Sequence, residues 1–326
     1  MIMINKKFII VSGPTGVGKT DFAEKLAQSI SLKTAIVNID VGQFYKPLSI
    51  GTAKPDLSDV QYGSRYYLFD IIDQPKDLTA SEFREILLKL LKDLWANNIL
   101  PIIVGGSSFY VKSIFYPPIS ILNNSSNGLD FSNISTQDLY NRLKEVDEIR
   151  AQEIHSNDRY RIERALYLWN TTSIKPSNLK PKFDCPGECL FYYITREREE
   201  LYSIINQRTY KMFDLGWLEE VKNLDNNWKK FLLKKKLIGY PEIIKYLDNS
   251  SFDDYDFDNL VQDISQKTRA YAKRQLIFWR SLKADLILSN LSKGFIKDIK
   301  EINLTLLNLD LYINQLCIEI EKFVSV

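Results

Sequence analysis

Phe8-Ile9-Ile10-Val11-Ser12-Gly13-Pro14-Thr15-Gly16-Val17-Gly18-Lys19-Thr20 joins two signals in one short stretch. Phe8 to Val11 is a continuous apolar run, the pattern of a strand buried on both faces of a parallel sheet. Gly13 to Thr20 fits G-x-x-x-x-G-K-[ST] and sits where that motif works, after a strand and at the start of a helix. Backbone N–H groups and the positive end of the helix dipole there face an anion, Lys19 adds a mobile charge, and Thr20 can hold Mg²⁺. Which phosphate is held stays open. Nucleoside triphosphates are the usual guests, and any diphosphate leaving group would satisfy the same donors.

Two further buried runs lie outward from this stretch. Ala35-Ile36-Val37-Asn38-Ile39 ends at Asp40, and Leu100-Pro101-Ile102-Ile103-Val104 ends at Gly105-Gly106. Between the runs, Phe22, Ala23, Leu26, Ala27 and Ile30, then Phe83, Ile86, Leu87, Leu90, Leu91 and Leu94, keep a helical period. Strand and helix alternate, which predicts an α/β fold. It would be a P-loop doubly wound, mostly parallel sheet that binds ligands beyond the carboxyl ends of its strands. Pro117-Pro118 and a polar loop at 123–128 break the alternation, and a helical period runs from Gln137 to about Asn170. The expected organisation is a first part of the core over 1–118, a helical insertion over 119–190, a return to the core with a basic helix over 191–284, and a tail over 285–326 without recognisable chemistry. Phe191 to Ile194 is the strand that rejoins the sheet.

Of 326 residues, 45% are apolar, enough for a sizeable core, and 43 basic against 41 acidic residues leave a net charge of +2. No overall excess marks a nucleic-acid or membrane polyelectrolyte, so any basic surface must be local. Three cysteines, Cys185, Cys189 and Cys317, argue against a disulfide framework and for a reducing, cytoplasmic setting. No segment reaches the length of a membrane span and no secretory cleavage site follows the N-terminus, so no membrane partner is expected. With His155 as the only histidine and Cys185 and Cys189 spaced C-x₃-C, usual Cys/His spacing does not assemble a zinc site.

Asp40, at the end of the second strand, would face the phosphate site from the neighbouring strand. There it could hold Mg²⁺ or act as a general base. On a helix, Arg269, Lys273 and Arg280 share one face and Tyr271, Phe278 and Leu282 the opposite one, so one side packs and the other meets anions or solvent. Tyr66, Tyr67, Phe109 and Tyr110 could pack in the core or line a tunnel for a flipped base.

A longer, ordered set of motifs spans roughly residues 8 to 282. Gly13-Pro14-Thr15 with Gly18-Lys19-Thr20 is followed by Asp40-Val41-Gly42-Gln43-Phe44-Tyr45-Lys46, Ile50-Gly51-Thr52-Ala53-Lys54-Pro55 and Val104-Gly105-Gly106-Ser107. Ile154-His155, Asn157-Asp158, Arg161-Ile162 and Arg164-Ala165-Leu166 come next, then Gly216-Trp217-Leu218-Glu219-Glu220-Val221, Ile238-Gly239-Tyr240 and Thr268-Arg269 with Tyr271-Ala272-Lys273-Arg274-Gln275. The set resembles the tRNA dimethylallyltransferases, also called tRNA isopentenyltransferases.

The resemblance implies transfer of a dimethylallyl group from dimethylallyl diphosphate to the exocyclic N6 of an adenosine beside the tRNA anticodon, with diphosphate released and Mg²⁺ as cofactor. It implies a catalytic set of Asp40 as general base, Thr15 and Arg269, the last on the diphosphate. Gly13, Pro14, Thr15, Gly16, Val17, Gly18, Lys19 and Thr20 would cradle the diphosphate, Thr20 near the metal. Asp40, Val41, Gly42, Gln43 and Ser107 would meet the target base, and Tyr160, Arg161, Ile162, Glu163 and Arg164 the anticodon stem-loop. The chain would act as a monomer. Departures from the family pattern are Val41 for a serine, Gly42 for a larger residue, Tyr66-Tyr67 for a histidine pair, Ser107 for threonine, and Pro241 for a basic residue. Two other functions use the same residues: a small-molecule P-loop kinase with the insertion as lid, and an RNA-binding protein without catalysis.

Overall fold

The computed structural model of the chain describes residues 4–57, 65–119, 130–248 and 257–325, so the polar loop at 123–128 lies outside the described residues. Contacts divide the chain into one unit of residues 1–115 with 185–326 and a second, Tyr116–Asp184. The larger unit opens with β1 (Lys7–Ser12), α1 (Lys19–Ser29), β2 (Thr34–Asn38), β3 (Arg65–Tyr67), α2 (Ala80–Ala96), β4 (Leu100–Val104) and α3 (Ser108–Phe115). The smaller unit holds α4 (Thr136–Val146), α5 (Glu148–Gln152) and α6 (Arg159–Thr172). The larger unit resumes with β5 (Glu188–Thr195), α7 (Arg198–Asp214), α8 (Trp217–Lys222), α9 (Asn226–Lys235), α10 (Tyr240–Asp248), α11 (Phe257–Asn290), β6 (Ile296–Asn303) and α12 (Leu309–Ser325).

The strands form one six-stranded sheet in the order β3-β2-β4-β1-β5-β6, parallel at every pairing. Every residue of β1, β2 and β4 is buried, which is why these strands read as unbroken apolar runs. α1 buries Phe22, Ala23, Leu26 and Ala27 against the sheet, and α2 buries Phe83, Leu87, Leu91 and Leu94. A capping box starts α2, with the Thr79 hydroxyl accepting from the Glu82 N–H and the Glu82 carboxylate from the Thr79 N–H.

The position of β4 corrects one expectation. β2 does not neighbour β1; β4 lies between them, pairing Ile9 with Ile102 on one side and Ile36 with Ile102 on the other. The loop after β4, Gly105 to Ser107, therefore sits between the P-loop and Asp40.

The chain rejoins the sheet at Glu188, three residues before the expected return at 191. The Glu188 N–H donates to the Lys6 carbonyl at 2.8 Å and β5 begins there. The tail beyond 285 is structural. β6 is the sixth strand, and Ile313, Leu316, Ile320 and Val324 of α12 share a core with Phe22, Ala23 and Leu26 of α1. In the smaller unit, Leu139, Leu143, Ala151, Ile154, Ile162, Ala165 and Leu166 form a separate core.

Candidate active site

The P-loop leaves β1 and enters α1 through Gly18, whose φ of 94° places it in the left-handed region where a side chain would strain the turn. No side chain caps this helix end, so its first N–H groups stay open to an anion. Lys19 folds back over the loop, its Nζ donating to the Pro14 carbonyl at 2.9 Å. Protein packs round the ammonium, and this burial lowers its pKa to about 8; Asp40 opposes the shift and Arg208 adds to it.

Arg208 is the site residue that the motifs missed. It lies on α7, beside the buried stripe Leu201, Ile205 and Thr209. Burial lowers its pKa below the ordinary guanidinium value, with Asp40 and then Asp21 opposing the shift. Two cations thus flank the cradle. No sequence signal marks it, because an arginine bordering an apolar helix stripe is ordinary and gains its meaning only from Asp40 and Lys19 across the fold.

Arg269 has other partners. Its Nη1 donates to Asn206 Oδ1, and its guanidinium lies 5.9 Å from the centre of the Tyr202 ring, both on α7. On α11 the buried stripe is Ala272, Gln275, Trp279, Leu282 and Leu286, with Lys273 and Arg280 exposed and Tyr271 and Phe278 at the margin.

Asp40 is held by its backbone. Its N–H donates to Asn38 Oδ1 at 2.8 Å, while Asn38 Nδ2 donates to the Asp40 and Leu68 carbonyls at 3.2 and 3.0 Å. Ser107 Oγ accepts from the Val41 N–H at 3.0 Å and stands 3.5 Å from Asp40 Oδ1. Burial raises the Tyr271 phenol well above its usual value; Asp40 adds to the rise, while Arg274 and a hydrogen bond to Ser107 oppose it. Tyr271 therefore belongs to the same cluster.

Gln43 is buried, and its Nε2 donates to the Thr52 and Ala53 carbonyls at 3.2 and 3.1 Å. The loop providing those carbonyls is tied in turn to Glu220 on α8. That carboxylate accepts from the N–H groups of Ser49, Ile50 and Gly51 at 2.7, 2.6 and 3.2 Å, and from the Tyr240 hydroxyl at 2.8 Å. The sequence stretches around Gly51, Glu220 and Tyr240 are therefore one physical node behind Gln43.

The aromatic candidates divide. Tyr66 donates to Glu24 at 2.7 Å, and Tyr110 packs between Phe44 and Phe83. Phe109 is 63% exposed and meets Phe278. In the smaller unit Ile162 is fully buried and Glu163 pairs with Arg159, so Tyr160, Arg161 and Arg164 are the exposed side chains of that segment.

No group of three or more His, Cys, Asp or Glu able to hold a metal occurs among the described residues. Thr20, in the first turn of α1, carries a hard oxygen donor of the kind Mg²⁺ takes alongside waters and substrate phosphates.

An uncapped glycine loop, two half-buried cations and a carboxylate at the head of a parallel sheet define a P-loop protein that acts on a phosphate-bearing substrate. The family model described as IPP transferase matches residues 43–282, and the chain belongs to that family. It is 34% identical to a tRNA dimethylallyltransferase of Natranaerobius thermophilus over 86% of this chain and 85% of the relative. It is 33% identical to one of Alkaliphilus oremlandii over 91% and 98%. The fold matches a eukaryotic dimethylallyltransferase acting on tRNA, with TM-score 0.79, 24% identity, and coverage of 98% of this chain and 80% of that one.

Proposed function

We propose that the chain is a tRNA dimethylallyltransferase, moving the dimethylallyl group of dimethylallyl diphosphate onto N6 of an adenosine beside the anticodon. The observation that carries this reading is the placement of Asp40 beside the cradle: its Oδ1 is 3.5 Å from Ser107 Oγ, and the preceding Gly106 packs against the Gly13 carbonyl and Lys19 Nζ. Leaving-group site and proton acceptor are adjacent. In the reaction the C1–O bond breaks and the N6–C1 bond forms. The diphosphate departs into the P-loop N–H groups, Lys19 and Arg208, which stabilise the charge that grows on it. The Asp40 carboxylate takes the N6 proton, a contribution of about 10²–10⁴ in rate. Mg²⁺, held through Thr20 and the diphosphate, would neutralise further charge on the leaving group.

Gln43, with its Nε2 committed to the 52–53 loop, would read the base through Oε1 as an acceptor. Tyr160, Arg161 and Arg164 would supply ring and cationic contacts to the RNA. No helix is long and apolar enough to cross a membrane among the described residues, and a cytoplasmic monomer acting on tRNA is the working form we infer.

The test is transfer of label from dimethylallyl diphosphate to an unmodified anticodon stem-loop with adenosine beside the anticodon. The wild type should label the RNA, and Asp40→Asn at equal folded concentration should be slower by about 10²–10⁴. A wild type that binds both substrates and transfers nothing would refute the reading.

A further inference from the structure

Gln275 is a polar side chain inside the apolar stripe of α11, only 4% exposed. A buried amide without partners is costly, so what it bonds to is informative. Its Oε1 accepts from the Thr15 N–H at 2.8 Å, and its Nε2 donates to the Gly106 carbonyl at 2.6 Å. One amide thus clips the P-loop to the loop after β4, two segments that β1 and β4 deliver side by side.

The junction has no spare room. A Cβ on Gly106 would stand 2.6 Å from Gln275 Nε2, 2.7 Å from the Gly13 carbonyl and 3.2 Å from Lys19 Nζ. The residue after Gly106 is Ser107, whose Oγ holds the Val41 N–H and faces Asp40. A continuous path therefore runs from Thr15 through Gln275, Gly106 and Ser107 to Asp40. On the transferase reading, the P-loop end of that path would hold the departing diphosphate and the Asp40 end would meet the attacking amine.

We propose that Gln275 is a positioning residue for prenyl transfer, its amide setting the separation between the diphosphate cradle and the Asp40–Ser107 arm. The inference rests on the transferase reading above. Both of its amide bonds go to backbone, so it would act through Thr15 and Gly106. Because its acceptor already occupies the Thr15 N–H, the loop is fixed before the diphosphate arrives. Displacing a reacting group by about 1 Å can cost on the order of 10²-fold in rate without weakening binding.

The experiment compares wild type, Gln275→Met and Gln275→Asn in steady-state transfer from dimethylallyl diphosphate to the anticodon stem-loop, at matched folded fraction by circular dichroism. Gln275→Met keeps length and loses both hydrogen bonds. Gln275→Asn keeps the amide one methylene short, so it cannot reach both partners, and it serves if the methionine variant fails to fold. The expected result is a fall in kcat of about 10- to 100-fold, with KM for either substrate changing less than about threefold. A kcat within about threefold of wild type in a folded variant, or a loss confined to KM, overturns the inference while leaving the transferase intact. A wild type that transfers no label refutes both.

Discussion

Replacing Glu220 by alanine removes the acceptor for three backbone N–H groups and the Tyr240 hydroxyl. The cost divides by exposure. Tyr240 is fully buried, so its O–H proton is left without the Glu220 acceptor, at about 1–3 kcal/mol. The N–H groups of 49–51 lie in a partly exposed turn that water can reach, so each loses only the excess of a charge-assisted bond, a few tenths to about 1 kcal/mol. The sum is roughly 2–6 kcal/mol, or a fall in Tm of about 4–12 °C at about 2 °C per kcal/mol for a unit of this size. The consequence for activity is directional. Thr52 and Ala53, whose carbonyls hold Gln43, follow the freed turn, so KM for the RNA should rise while affinity for dimethylallyl diphosphate alone stays put. Tyr240→Phe supplies the internal check, because it deletes the hydroxyl that Glu220→Ala strands. In the double variant that penalty disappears, and the loss should fall short of the sum of the single losses by about 1–2 kcal/mol. Thermal melts and RNA titrations of the three variants decide it. Strict additivity, or a Glu220→Ala protein melting within about 1 °C of wild type, would refute the node.

Two further predictions concern charge and capping. With burial holding Lys19 at about 8, the ligand-free ammonium loses its proton as pH rises through that value, and a diphosphate must restore the proton on binding. Affinity for dimethylallyl diphosphate, measured by calorimetry without RNA, should therefore weaken above pH 8, approaching tenfold per pH unit. Lys19→Arg should flatten the profile, and Arg208→Ala, by removing a repelling charge, should move its midpoint upward. A wild-type profile that stays flat from pH 7 to 9.5 would contradict the burial argument. In the smaller unit, the nearly inaccessible Asp147 carboxylate accepts from the N–H groups of Arg150 at 3.1 Å and Ser177 at 2.7 Å. Asp147→Ala should destabilise residues 116–184 by roughly 2–3 kcal/mol, seen as faster hydrogen exchange in that unit alone. Exchange that accelerates equally in the β1 and β4 amides would show that the two units do not unfold separately.

The strands and the cradle were legible because each announces itself locally. β1, β2 and β4 are buried on both faces and so read as apolar runs, and the P-loop is a contiguous pattern with a fixed spacing. β3 escaped notice because Arg65-Tyr66-Tyr67 is too short to show a period. β6 escaped for a different reason. Ile296-Lys297-Asp298-Ile299-Lys300-Glu301-Ile302-Asn303 is an edge strand in which only Ile296 and Ile302 are buried, so charges interrupt what a central strand would show. Arg208 and the bonding of Gln275 were invisible in kind. Each gains its meaning from a partner far along the chain, and a single sequence without its fold pairs neither with the P-loop. The order of β1, β4 and β2 had the same character, since crossover topology is not written in any one strand.

That long-range dependence explains why a tail without chemistry belongs to the site. Thr305, just beyond β6, donates its hydroxyl to Glu200 and accepts the Glu197 N–H at 3.0 Å, while Asn303 donates to Glu197 Oε1 at 2.8 Å. Glu200 pairs with Arg196, and Arg196 Nε donates to the Val17 carbonyl within the P-loop at 3.1 Å. From the other side, α12 closes the core over Phe22 and Leu26, so the helix that follows the P-loop is packed on both flanks. An anion site made of backbone N–H groups has directional strength only if the backbone does not move when charge arrives. Gln275 fixes Thr15, Arg196 fixes Val17, and α12 fixes the helix behind them. The loop's rigidity is thus contributed by three parts of the chain outside the loop itself, and two of them lie in the last 70 residues of a 326-residue chain.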